Sequence, residues 1–175
     1  MSLTARMPMR IERTLAAARR RLMELLDDGS WCPCCGQWAK RYRRALNSTM
    51  VRSLIWLVEE SRREVEEGEP GWVDVPAVAP RWVTTTNQHA TLRWWGLAER
   101  LPSGTPAKKH SGVWRPTELG RRFVYEDALV PSHILHYNNE VHEDPSASRV
   151  EVRDALLVGG FDYEETMNSI SEGRR

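Results

Sequence analysis

The chain has 175 residues, 25 Lys and Arg against 24 Asp and Glu, three cysteines and eight tryptophans, which suits one domain or one small domain with appendages. No stretch approaches the ~18 uncharged apolar residues of a membrane-spanning helix, which speaks against a membrane protein. The start, MSLTARMPMRIERTL, lacks the apolar core of a secretory signal, so a reducing, cytoplasmic setting is expected.

The net charge of +1 conceals an asymmetry. Residues 1–123 hold 21 basic side chains against 13 acidic ones, and residues 124–175 hold 4 against 11. A basic working surface and an acidic C-terminal region follow from that division, unless the charges are ordinary solvated helix faces.

In chain order, residues 9–27 read as an amphipathic helix, with Ile11, Leu15, Ala18, Leu22 and Leu25 at helical spacing and Asp28-Gly29 as its stop. Cys32 to Gly36 is a tight turn. From Gln37 to Glu67 the pattern looks helical throughout, with an apolar stripe through Trp38, Tyr42, Leu46, Met50, Leu54, Leu57, Val58 and Val65. Asn47-Ser48 supplies an internal cap that separates a short basic helix from a longer one. Residues 71–80 read as a short strand and loop, and about 88–95 as a helix closed by Gly96. LAERL and VWRPT are candidate strands around a polar loop, and Thr117 caps a short helix. VPSHILHYNNEVHED resembles a hairpin turning at Asn138-Asn139. DPSAS is a linker, RVEVRDALLVGG a strand or short helix, and FDYEETMNSI a terminal helix. The expected organisation is 1–46 (N-terminal helix, cysteine turn and basic helix), 47–130 (central domain) and 131–175 (acidic hairpin and helix).

All three cysteines lie in WCPCCGQW. Cys32-Pro33-Cys34-Cys35-Gly36 contains the C-P-x-C-G turn of zinc knuckles, in which two sulfurs face one metal and backbone amides point at them. One such turn supplies two ligands of the four a structural zinc takes, and no second C-x-x-C exists. Cys32, Cys34 and Cys35 are therefore the metal candidates, with a further donor from His89, His110 or a second subunit. Reduced structural cysteines and redox chemistry are the alternatives, although the βαβ context of a thioredoxin-type site is absent. His133, His136 and His142 read as polar positions on the hairpin. His133 and His136, three apart on a strand, point to opposite faces.

The centre of the chain, TLRWWGLAERL…KKHSGVWRPTELGRRF, resembles a winged helix-turn-helix: a helix leaving through Gly-Leu, a strand, a basic loop, and a returning strand with a W-x-x-T-x-x-G step. The chain also resembles a group of phage and prophage proteins sharing a CPxCGQ…K-x-Y-x-R start and a WGL…G-x-W-x-x-T…G-x-x-F centre, over roughly residues 31–125. The resemblance implies an α+β, mainly helical winged domain with N-terminal helices and a C-terminal hairpin extension. Residues 48–67 would form its first helix, 86–96 the recognition helix and 102–113 the wing. No family function comes with it.

On that geometry Thr85, Asn87, Gln88 and His89 lie near a helix N-terminus that meets phosphate. Gln88 and Arg93 reach base edges, and Lys108, Lys109 and His110 neutralise phosphates from the wing. Lys40, Arg41, Arg43 and Arg44 form a second basic run. Of Trp94, Trp95 and Trp114, at least two are expected in the core. No G-x-S-x-G, H-E-x-x-H, P-loop or G-x-G-x-x-G occurs, so catalysis has no site. The expectation is a non-enzymatic regulator or accessory protein that binds nucleic acid, most readily duplex DNA. A winged-helix module for protein contact, such as a phage factor that binds host machinery, is the alternative.

Overall fold

In the computed structural model, residues 14–67, 71–104 and 111–172 are described. They form an α+β chain of mixed helix and strand that divides into two compact units. Among the described residues, those from 14 to 44 group with 135–143, and those from 45 to 134 group with 144–172. One junction between the units falls near residue 45. Residues 131–175, read from sequence as one segment, are shared between the two units.

In the first unit, helix α1 (Leu15–Leu25) starts at Thr14, whose hydroxyl accepts from the Ala17 amide. Strands β1 (Ser30–Trp31) and β2 (Trp38–Ala39) form an antiparallel hairpin with Trp31 opposite Trp38. Leu22, Leu26 and Ala39 make a small core with Cys32 and Tyr137 against it. Strand β3 (Tyr42–Ala45) lies beside β8 (His133–Tyr137), which pairs with β9 (Glu140–Glu143). Asn138 and Asn139, at φ 49° and 63°, form the left-handed two-residue turn that fits a twisted hairpin, as the sequence suggested.

This sheet overturns the basic helix expected at 37–46. Pairing with β1 already fixes Trp38 and Ala39 as extended, and Tyr42–Ala45 continues into a sheet edge. Helical spacing of Trp38, Tyr42 and Leu46 over nine residues was too short a signal to distinguish the two.

The second unit is built around α2 (Ser48–Glu66). Asn47 caps it, its side chain accepting from the Met50 amide at 2.9 Å. Met50, Val51, Leu54, Ile55, Trp56 and Leu57 are at most 1 % exposed, so the helix is apolar around its circumference where the sequence suggested one stripe. Such a helix has to be enclosed. Strand β4 (Val73–Asp74), the 3-10 helix Gln88–Trp95, strand β6 (Val113–Pro116) and helices α5 (Glu118–Tyr125), α6 (Val152–Leu157) and α7 (Tyr163–Glu172) all pack on it. The Arg52 guanidinium adds a flank, 4.9 Å from the Trp82 ring centroid and 4.4 Å from that of Phe161.

Between β4 and the 3-10 helix stand two short helices, α3 (Val75–Val78), capped by Asp74, and α4 (Arg81–Thr86). The sequence reading had a loop there, because one-turn helices show no periodicity. Strand β5 (Ala98–Arg100) completes an antiparallel sheet of order β4-β6-β5, and Trp114 in the central strand opposes both Val73 and Arg100. Strands β7 (Val130–Pro131) and β10 (Arg149–Val150) pair separately. Trp95 and Trp114 are core residues as expected, and the Trp95 indole N–H donates to the Pro131 carbonyl at 2.8 Å.

Glu59 is the charged residue buried in the α2 core, 4 % exposed. One carboxylate oxygen accepts from the Tyr125 hydroxyl at 2.5 Å, the other from Arg62 at 3.1 Å. Burial first, and then the Glu59 carboxylate, hold the Tyr125 phenol well above its usual range.

Helix α5 meets β5 at a glycine. A Cβ on Gly120 would lie 2.0 Å from the backbone oxygen of Leu97, and no side-chain rotation relieves a backbone clash. Gly120→Ala is expected to cost ~1–3 kcal/mol by urea denaturation. Gly104→Ala, which meets nothing within 4 Å, is expected to stay within ~0.5 kcal/mol of wild type.

Candidate nucleic-acid interface

Left-handed residues bracket the 3-10 helix, Asn87 at φ 48° and Gly96 at φ 69°. Its buried residues are His89, Leu92 and Trp95. They recur every third position, the spacing at which a 3-10 helix stacks side chains in one column. The sequence reading had the right span with an α-helix in it. Packing this column against α2 and the sheet accounts for the tighter winding, and it orients everything else: Arg93 is exposed, while Ala90 and Trp94 are partly buried.

His89 was expected at an exposed helix start. It is 6 % exposed, with its ring edge-on to Trp114 at a centroid distance of 5.5 Å and 89° between planes. Its Nδ1 has no hydrogen-bond partner among the described residues. Burial lowers its pKa to about 4, so the imidazole is neutral at pH 7. Gln88 is half-buried with its Oε1 unpartnered, a poorer base reader than an exposed amide would be. Thr85 and Asn87 are exposed as expected.

Beside this helix lies an open groove of about 700 Å³ within the second unit. His89, Arg93, Trp94, Arg100 and Trp114 line it, together with Asn87 and the apolar side chains of Val75, Pro76 and Ala90. Among the described residues no carboxylate lines it. Arg93 reaches toward the Trp94 ring and Arg100 toward Trp114, each 5.7 Å from the centroid. Arg100 was not singled out from sequence; its position at the mouth of the β5–β6 loop was the available signal. Lys108, Lys109 and His110 lie outside the described residues.

In the second basic run Arg43 is exposed and Lys40, Arg41 and Arg44 are half-buried. Arg41 donates to Asp27 at 2.8 Å and is 18 % exposed, and Arg43 and Arg44 both interact with other groups. The run belongs to the first unit and the groove to the second.

The cysteine turn closes the β1–β2 hairpin. The Cys32 amide donates to Gln37 O at 2.7 Å, the Gly36 amide donates to Cys32 O at 2.8 Å, and Gly36 takes φ 69°. The flanking tryptophans, opposed across the hairpin, meet edge to face with centroids 5.4 Å apart. All three thiols are free, Cys32 half-buried and the others exposed. Backbone N–H groups of Cys35 and then Cys34 point at the Cys32 sulfur and lower its pKa. Lost hydration and the neighbouring thiols raise that of Cys34. Amides directed at sulfur suit a thiolate. Yet among the described residues no group of three or more His, Cys, Asp or Glu side chains is arranged to hold a metal ion. A closed four-ligand zinc site is therefore not assembled from them.

Among the described residues no helix is long and apolar enough to cross a membrane. No protein-family model, curated protein or solved structure matches this chain.

Burial of a neutral histidine has a measurable consequence. The unfolded chain takes up a proton near pH 6.5, whereas the folded His89 takes one up only near pH 4. Its contribution is therefore complete above about pH 6.5 and is lost as pH falls toward 4, by at most ~1.4 kcal/mol per pH unit. Urea midpoints across this range are expected to fall less steeply for His89→Phe than for wild type. Parallel curves would remove the buried-imidazole assignment.

Proposed function

We propose that the protein is a non-enzymatic winged-helix factor that binds duplex DNA in the cytoplasm, as a regulator or accessory protein. One observation carries the reading. The second unit runs helix α2, strand β4, short helices α3 and α4, the 3-10 helix, then β5 and β6 around the 101–112 loop, with sheet order β4-β6-β5. This order, with one short helix more, follows the helix, strand, helix, helix and two-stranded wing of a winged helix, in which the last helix enters the major groove and the wing meets the backbone. Arg93 on the 3-10 helix and Lys108 and Lys109 in the wing are the proposed contacts, with Gln88 in a lesser role.

A second reading, a protein-contact module such as a phage factor that engages host machinery, is favoured by the exposed aromatics of the first unit. Trp31, Trp38 and Tyr42 are each about half exposed, and such side chains commonly anchor protein interfaces. Zinc remains part of the proposal only as a ligand of Cys32, Cys34 and Cys35 completed by a donor outside the described residues. About one zinc per purified chain supports that, and a content far below one removes it.

Fluorescence anisotropy against random-sequence duplex at about 50 mM and about 200 mM salt tests the main reading. Binding at the lower salt that weakens steeply at the higher is expected. Lys108→Glu with Lys109→Glu, and separately Arg93→Ala, should each weaken binding and flatten the salt slope by about one per lost phosphate contact. Absence of binding at the lower salt leaves the protein-contact reading.

A further inference from the structure

The groove beside the 3-10 helix has features that a contact with duplex backbone leaves unused. It is concave, and at about 700 Å³ it falls in the size range of small-ligand sites. Its two arginines, Arg93 and Arg100, form no ion pair among the described residues, each meeting only a tryptophan ring. With no carboxylate among the described lining residues, the positive charge of these arginines favours an anion. The second observation is independent of charge. His89 lines the groove, is more than nine-tenths buried, and has a ring nitrogen without a partner. A buried polar atom of this kind is rare in native proteins because it forgoes a hydrogen bond it had in water.

We propose that this groove binds a single nucleotide, its phosphate on Arg93 and Arg100 and its base along the apolar wall of Pro76, Ala90 and Trp94, with the Asn87 amide meeting polar edges of the base or sugar. Three features fit that ligand. The phosphate needs two fork-shaped donors, which guanidinium groups supply. The base needs an apolar surface of its own width, provided by one proline, one alanine and the exposed part of a tryptophan. Its edge needs both a donor and an acceptor, and the Asn87 side chain offers both. Asn87 is exposed and lies at the left-handed turn that starts the 3-10 helix, so its amide stands at the rim. Choosing a nucleotide over another planar anion rests on the nucleic-acid reading above. The nucleotide is either a free small molecule or an unpaired residue at the end or in a gap of a nucleic acid. Both present the same chemistry to the groove.

Calorimetric titration of the full chain with each of the four deoxynucleoside monophosphates, and with inorganic phosphate, tests the free form. Anisotropy against a duplex carrying a one-nucleotide 5′-phosphorylated overhang, compared with the same duplex blunt, tests the polymer form. One of two results supports the inference: saturable binding of a mononucleotide at one per chain and tighter than inorganic phosphate, or tighter binding of the overhang than of the blunt duplex. In either case Arg100→Ala should weaken the interaction by about tenfold to a hundredfold. If no mononucleotide binds and overhang and blunt duplex bind alike, the inference is wrong while duplex binding stands. Equal binding by wild type and Arg100→Ala also overturns it. If a mononucleotide binds and no duplex does, the inference holds and the duplex reading fails.

Discussion

Most of the second unit follows from the need to enclose one helix. From Met50 to Val58, α2 carries apolar side chains on every face except at Arg52 and Ser53, and the whole span apart from Arg52 is buried. An isolated helix of that composition would expose several large side chains at about 1.5–3 kcal/mol each, so its stability comes from the elements wrapped around it. Five further elements and the short strand β4 do this. The exception at Glu59 is handled locally: a buried carboxylate without partners would be costly, and the Tyr125 hydroxyl and Arg62 supply two charge-assisted hydrogen bonds. The Tyr125 bond also ties the end of α5 to α2.

The candidate site inherits its geometry from the same enclosure. The 3-10 helix is one wall around α2, and the column His89, Leu92, Trp95 faces inward. A period of three fixes the opposite column as firmly as the buried one, and Arg93 lies outside because Leu92 lies inside. Asn87 and Gly96, both left-handed, set where the wall starts and stops. Trp114 joins the two parts of the unit. It occupies the central strand, packs its ring against His89 and lies under Arg100. A change at Trp114 would disturb sheet, groove and core together.

Elements with strong local signals were legible from sequence. Asn47 and Thr117 announced helix starts, Gly96 a helix end, and the Asn138-Asn139 pair a hairpin. What escaped had either no period or an ambiguous one. Helices α3 and α4 are too short to show a repeat. Residues 38–46 carried helical spacing over little more than two turns, and the placement of Tyr42–Ala45 beside β8, distant in sequence, decided the matter. Glu59 sits in VEESRREVEE, where its neighbours are surface carboxylates, so nothing local distinguishes the one beneath Tyr125. Burial of His89 was hidden similarly, because the Gln-His pair after a run of threonines reads as an exposed helix start. Arg100 escaped notice as an isolated charge in LAERL.

The central claim is that the second unit engages nucleic acid through the 3-10 helix, the groove and the β5–β6 wing. Amide hydrogen exchange with and without random-sequence duplex at low salt tests it most directly. The account predicts slower exchange on DNA addition in residues 87–100 and 111–116, with α6 and α7 unchanged. Protection confined to the first unit, or complex formation without any change between residues 87 and 116, would contradict it.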